Sequence, residues 1–394
     1  MFAPTSMLHR LLLTFLLFSL PARALELGID RLAAMDFAPL AGKRVGLITN
    51  QTGVNSNGTR TRLILKRAPN VQLVALFSPE HGLDGTAGAG RYVATRRDSA
   101  TGLTVFSLYG PTRKPSPTML RGLDALVFDM QDIGCRSYTY VSTMVKCMEA
   151  AGEAGIEFIV LDRPNPLGGN RVEGPMIESR WISFVGPLPV PYVHGMTVGE
   201  LAKMANARGW TGHKCKLTVI PMSGWSRGTT WSGTGLRWVP TSPNIPRASS
   251  CAYYVATGLV GELKAVETGT GGPTPFEIFA SPGLNGPALA ARLRTAFPDL
   301  KVSAIDGGVR FRLDAGSGTD LSALGVHLIA ASNRAASPSL FARYRDPDAI
   351  FYKCYGSTSI RTQCEKGVSP ASIVAGWSGA VSSFRGARQP YLLY

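Results

Sequence analysis

The stretch VQLVALFSPEHG, residues 71–82, decides how the chain is read. A β-branched, apolar run of strand length stops at Pro79 and delivers a carboxylate, Glu80, beside an imidazole, His81, before Gly82 turns the chain. The same design recurs on either side of it. KRVGLITNQ (43–51), LTVFSLYG (103–110), ALVFDMQDIG (125–134) and EFIVLDRPNP (157–166) are apolar runs that each end in polar or Gly/Pro residues. Thr59–Arg67 and Tyr138–Ala154 are helix-compatible segments between them. Near-continuous apolar strands alternating with helices imply a parallel sheet covered on both faces. The expected fold is therefore α/β, a Rossmann-like, doubly wound, mainly parallel sheet.

Ligands of such sheets bind outside the carboxyl ends of the strands. Asn50-Gln51, Glu80-His81, Tyr109, Asp129 to Asp132 and Asp162 to Asn165 all fall there. Taken singly, each is as readily a helix cap or turn former; five strand ends together point to a site.

Several chemistries are disfavoured. NQTGVNSNG (50–58), after the first strand, lacks the G-x-G-x-x-G of a dinucleotide fold. GTAGAG (85–90) lacks the Lys-Ser/Thr of a phosphate loop and reads as a flexible substrate loop. His81, His194, His213 and His327 show no metal-ligand spacing, so neither metal nor cofactor is expected. GWSRG (224–228) spells a nucleophile elbow, but the following TTWSGTG cannot open a helix. Carboxylates remain, and a carboxylate pair with one member protonated is the equipment of glycoside cleavage. Trp225, Trp231 and Trp238 could stack on sugar rings or belong to the core.

The N-terminus bears on location. His9 and Arg10 precede the apolar run Leu11–Leu20, and Ala22-Arg23-Ala24 is a small-x-small cleavage site. Residues 1–24 read as a signal peptide, so the mature chain is expected to be exported, periplasmic or extracellular, without a membrane anchor. Six cysteines in an oxidising compartment permit disulfides, with Cys354 and Cys364 the easiest local pair; Cys135 and Cys147 read equally as small buried apolar residues. The net charge of +15 suits anionic envelope polymers. Its Lys and Arg are scattered, without a basic arm, so no nucleic-acid partner is expected.

Composition changes after Pro246. Residues 25–246 are assigned to the Rossmann-like domain and 247–394 to a smaller α+β domain. In the latter, Tyr253–Ala265, Pro287–Ala296 and Pro370–Trp377 read as helices, VRFRL (309–313) and GVHLIA (325–330) as strands. Upstream, Thr197 and Glu200 form a capping box for a helix beginning just after His194-Gly195-Met196.

SPEHG, SLYG, FDMQDIGCRSYTY, LDRPNPLGG, VEGP, HGMTVGELA and SPNIP occur in that order from Ser78 to Pro246. Together they resemble the NamZ-type exo-β-N-acetylmuramidases, a bacterial family long catalogued as a domain of unknown function. The resemblance implies removal of N-acetylmuramic acid from the non-reducing ends of peptidoglycan fragments in cell-wall turnover. It also implies a Rossmann-like catalytic domain, a smaller C-terminal domain and a cleft between them. Glu80 then matches the catalytic glutamate, in the role of general acid, with His81 holding or tuning it. Asp132 is the candidate second or orienting catalytic group. Asn50, Asp129, Arg136, Tyr138, Asn165 and His194 are the candidate substrate contacts. Arg136 is either a forked partner for the lactyl carboxylate of muramic acid or a salt bridge to Asp132. One departure stands out: where many members read G-R-G before Pro-Phe-Glu, this chain has Gly269-Thr270-Gly271. A glycosidase for N-acetylglucosamine and a non-catalytic envelope glycan-binding protein are the alternatives.

Overall fold

A computed structural model describes residues 25–394; the expected signal peptide lies outside the described residues. Strands β1 (Arg44–Thr49), β2 (Gln72–Ser78), β3 (Arg96–Arg97), β4 (Thr104–Ser107), β5 (Ala125–Asp129) and β6 (Glu157–Leu161) follow in order along the chain. A small antiparallel pair, β7 (Glu173–Met176) and β8 (Pro191–Val193), intervenes before β9 (Lys216–Ile220). The main sheet runs β3-β4-β2-β1-β5-β6-β9, parallel throughout except where β3 meets β4. The chain winds outward from β1 to β4, then crosses to β5 and winds the other way. Strand order therefore reverses between β1 and β5, as the doubly wound reading requires.

Alternation along the strands builds both cores, because successive side chains point to opposite faces. Leu126, Phe128, Phe158 and Val160 share one cluster with Met144, Met148, Leu201 and Ala205 of the helices Thr139–Ala154 and Val198–Ala207. Val127, Ile159 and Leu161 point the other way, into a cluster with Ile29, Leu32 and Leu65 of the helices Gly28–Ala34 and Thr61–Arg67. Thr197 accepts from the Glu200 amide at 3.2 Å and the Glu200 carboxylate accepts from the Thr197 amide at 3.0 Å, so the expected capping box starts the helix Val198–Ala207.

The C-terminal part carries a second, antiparallel sheet of β10 (Ile278–Ala280), β11 (Lys301–Ile305) and β12 (Gly308–Arg312), in the order β10-β12-β11. Five short helices follow the helix Leu321–Ala335. Phe279, Leu324 and Phe351 belong to the same apolar cluster as Phe128, so one core runs through both parts. The tail returns to the first sheet: the Tyr394 hydroxyl donates to Asp162 Oδ2 at 2.8 Å, and Arg388 donates to the carbonyls of His194 and Gly195.

Three expectations fail. GVHLIA is helical, inside Leu321–Ala335, whose N-terminus Asp320 caps by accepting from the Ala323 amide. That helix is buried on nearly every side, so its apolar run carries no helical periodicity to distinguish it from a strand. The helix expected over 253–265 runs instead from Ser250 to Gly261, with a π-helical stretch at Tyr254–Gly258. No disulfide forms: all six cysteines are free and buried, Cys354 and Cys364 included. They act as small apolar fillers, Cys147 for instance sitting within the main cluster.

Candidate active site

β2 ends at Ser78, and Pro79 releases Glu80 from the ladder. His81 and Gly82 then take φ of 68° and 78°, two left-handed residues in succession that reverse the chain. For a histidine this backbone costs about 1–2 kcal/mol, and side-chain bonding offsets it. His81 Nδ1 lies 2.7 Å from the Ala87 carbonyl, which can only accept, so Nδ1 carries the proton. The glycine-rich loop is thereby folded back onto the strand end, and the Gly90 amide donates to Glu80 Oε1 at 2.8 Å. On the other oxygen, the Thr139 hydroxyl at the start of its helix donates to Oε2 at 2.6 Å. Burial and the neighbouring Glu80 carboxylate push the Tyr109 phenol, beyond β4, up to about 12. Among the described residues no Lys or Arg forms an ion pair with Glu80.

Glu80 opens onto a cavity of about 360 Å³ between the two parts of the chain. The first part contributes His81, Tyr109, Ser137, Tyr138 and Thr139, and the connecting segment Ser242, Asn244 and Ile245. Tyr254, Glu262, Glu267, Thr268, Thr270 and Phe276 close it from the C-terminal side. Tyr138 is fixed by a 2.8 Å bond from its hydroxyl to Thr241 Oγ1 and by edge-on packing against Tyr140 and Tyr254. Glu262 follows directly on the helix Leu259–Gly261. Burial raises its pKa, with the nearby charges of Asp346 and Glu80 adding to the shift and Lys264 opposing it. Its sequence, LVGELK, reads as an ordinary helical charge, and only the fold brings it to Glu80. Thr139 stands inside the CRSYTY motif but carries no chemical signal of its own.

Of the sequence candidates, Glu80, His81 and Tyr138 meet in this cavity. The others do not line it. Asp129 is fully buried, held at 2.5 Å by Arg163 Nε and at 2.5 Å by the Thr61 hydroxyl. Asn50 is turned into its own loop, where its Oδ1 accepts from the Thr52 amide and hydroxyl. Asp132 accepts from the Gly134 amide at 2.8 Å, while its Oδ1 has no partner; burial raises this carboxyl to about 7. Asn165 accepts from the Leu167 amide and donates to the Met196 carbonyl. Asp132 and Asn165 border a separate cavity of only about 10 Å³. His194 is sealed in the interior, its Nδ1 accepting from the Met196 amide, and burial lowers it to about 3.

Arg136 meets neither expectation. Its guanidinium is buried and donates to the carbonyls of Pro175, Val190, Cys354 and Tyr355. Four backbone acceptors from two parts of the chain engage its two terminal nitrogens and make it a brace across the junction, while Nε is buried without a partner among the described residues.

A second cavity, of about 250 Å³, lies across the segment Trp238–Ile245 from the first. Thr52, Arg60, Gln131, Arg163, Trp231 and Trp238 are among its walls, the two indoles meeting edge to face at 4.8 Å. Trp225 instead belongs to the core, its Nε1 bonded to the Thr229 carbonyl.

The N-terminal model of the exo-β-N-acetylmuramidase NamZ family matches residues 45–249, and its C-terminal model matches residues 252–394. The peptidoglycan β-N-acetylmuramidase NamZ of Bacillus subtilis (strain 168) is 39% identical over 380 residues, covering 94% of this chain and 91% of that protein. A DUF1343 family protein of Bacteroides fragilis NCTC 9343, known from its crystal structure, is 40% identical with a TM-score of 0.86, covering 94% of this chain and 99% of that one. A second from the same organism is 30% identical with a TM-score of 0.71, at the same coverage. Matched by both models, and by relatives along nearly its whole length, the chain belongs to the NamZ exo-β-N-acetylmuramidase family.

Proposed function

We propose that the chain is an exo-acting glycoside hydrolase that releases N-acetylmuramic acid from the non-reducing ends of peptidoglycan fragments, with Glu80 as a catalytic carboxylate. The observation that carries this is Glu80 itself, held by two neutral donors at a cavity walled by both parts of the chain. Tyr109, Tyr138, Tyr254 and Phe276 give the cavity aromatic faces suited to a sugar ring. Asn244, Thr268 and Thr270 give it neutral polar groups. Among the described residues no Lys or Arg lines it, so the lactyl carboxylate of muramic acid would meet neutral donors. That makes the N-acetylglucosaminide the informative comparison substrate.

The reading includes export. The N-terminal 24 residues have the composition of a secretory leader, and peptidoglycan lies outside the cytoplasm. Among the described residues no helix is long and apolar enough to cross a membrane.

The test is a chromogenic aryl β-N-acetylmuramide beside its glucosaminide counterpart, with wild type and Glu80→Gln. Release from the muramide, lost in the variant by about 10³-fold or more, is expected. Release from the glucosaminide alone would change the substrate. No release from either, with terminal muramoyl glycans still bound, would leave a binding protein.

A further inference from the structure

We infer that Glu262, from the C-terminal part of the chain, is the proton donor of the reaction, and that Glu80 acts as the anionic carboxylate opposite it. The inference rests on the glycosidase reading above and reverses the role expected for Glu80.

The two carboxyl groups line one cavity and are held in opposite ways. Both Glu80 oxygens are already engaged, Oε1 by the Gly90 amide and Oε2 by the Thr139 hydroxyl. Oxygens that accept from donors on both sides are poorly placed to hand a proton to a ligand. Among the described residues none makes a hydrogen bond to the Glu262 carboxyl; only through-space charges and burial act on it. Burial disfavours its charged form, and the charge of Glu80 presses the same way. Lys264, the nearby cation, is itself 3.8 Å from Asp346 Oδ2, which weakens its hold on Glu262. Two carboxyl groups held so differently in one cavity suit the two roles that glycoside cleavage needs. Glu267, the third glutamate of the cavity, is exposed and its Oε1 already accepts from the Gly269 amide, so it suits neither role.

The step balances with water alone. The bond between the anomeric carbon and the glycosidic oxygen breaks, its electron pair goes to that oxygen, and the Glu262 proton neutralises it. The Glu80 carboxylate offsets the positive charge developing on the sugar. Water then places its oxygen on the anomeric carbon and gives up the proton that restores Glu262.

Leaving-group chemistry separates a proton donor from other roles. An aryl leaving group departs without protonation, whereas a sugar leaving group needs it. Glu262→Gln should lose about 10²–10⁴-fold in kcat on a muramoyl disaccharide and about tenfold or less on the nitrophenyl muramide, where Glu80→Gln loses both. The alkaline limb of the disaccharide pH profile should also vanish in Glu262→Gln. Glu80, Asp346, Lys264, Cys354 and Tyr254 carry the titratable groups that act on Glu262, and all remain in the variant. Thermal unfolding of each variant, and Glu262→Asp as the variant that keeps an acid, guard against misfolding. Equal loss on both substrates by Glu262→Gln, or disaccharide turnover within a few-fold of wild type, would overturn the assignment with the function intact. Failure of the wild type on both substrates would overturn the reading beneath it.

Discussion

Glu80 and Asp129 both stand at the carboxyl ends of parallel strands, two places apart in the same sheet, and they have opposite fates. Asp129 at the end of β5 is sealed, with Arg163 on one oxygen and Thr61 on the other. Glu80 just beyond β2 meets only neutral donors and faces a cavity that Glu262 of the C-terminal part also lines. A carboxylate at a strand end is therefore not in itself a sign of chemistry. What distinguishes the two is the cation. A buried ion pair fixes the loops around it, and an anion with neutral donors keeps its charge for a ligand.

The contrast can be broken most forcefully by removing each carboxylate in turn. Asp129→Ala leaves the Arg163 guanidinium buried and unpaired and should cost about 3–5 kcal/mol of stability. Glu80→Gln should change stability by about 1 kcal/mol or less while abolishing turnover. Urea unfolding of the two variants checks this, and an Asp129→Ala variant as stable as wild type would dissolve the distinction.

A smaller effect concerns Asp132, neither paired nor open. Burial raises its carboxyl to about 7, above the ~4 of an unfolded chain. Between those values the folded protein keeps a proton that the unfolded chain has lost. Its contribution to stability is therefore full below about pH 4 and falls as pH rises to about 7, by at most ~1.4 kcal/mol per pH unit. His194, lowered to about 3, contributes with the opposite sign, losing stability as pH falls from ~6.5 toward 3. Unfolding of wild type against Asp132→Asn at pH 4, 5.5 and 7 isolates the Asp132 share. The variant should gain on wild type as pH rises, and a constant difference would count against a neutral Asp132.

The smallest expected effect sharpens the site itself. Thr270 lines the cavity, at the position where the family resemblance implies an arginine. Thr270→Arg should lower KM for the muramide by about 3–10-fold, through a charge-assisted bond worth about 1 kcal/mol, and leave the glucosaminide unchanged. Equal shifts for both sugars would show that residue 270 does not meet the lactyl group.

The main sheet was legible because each of its long strands is a continuous apolar run punctuated by turn residues, as VQLVALFSPEHG is. The Thr197 cap was legible for the same reason: it is local chemistry. Gly325–Ala330 was not, since a helix buried all round shows no period. Within the site, Glu80, His81 and Tyr138 were readable from the segments that follow two strands, β2 and β5. Arg136 misled because its four acceptors are backbone carbonyls, which no side-chain pattern announces. Glu262 stayed hidden because its partner in the cavity lies far away in sequence, across the join between the two parts.

The most direct measurement is a crystal structure of Glu80→Gln holding a disaccharide with N-acetylmuramic acid at its non-reducing end. The account predicts the muramoyl ring in the cavity beneath Tyr109, Tyr138 and Phe276, with the glycosidic oxygen about 2.6–3.2 Å from the Glu262 carboxyl. A disaccharide seated in the Trp231–Trp238 cavity, or bound with that oxygen turned away from Glu262, would contradict it.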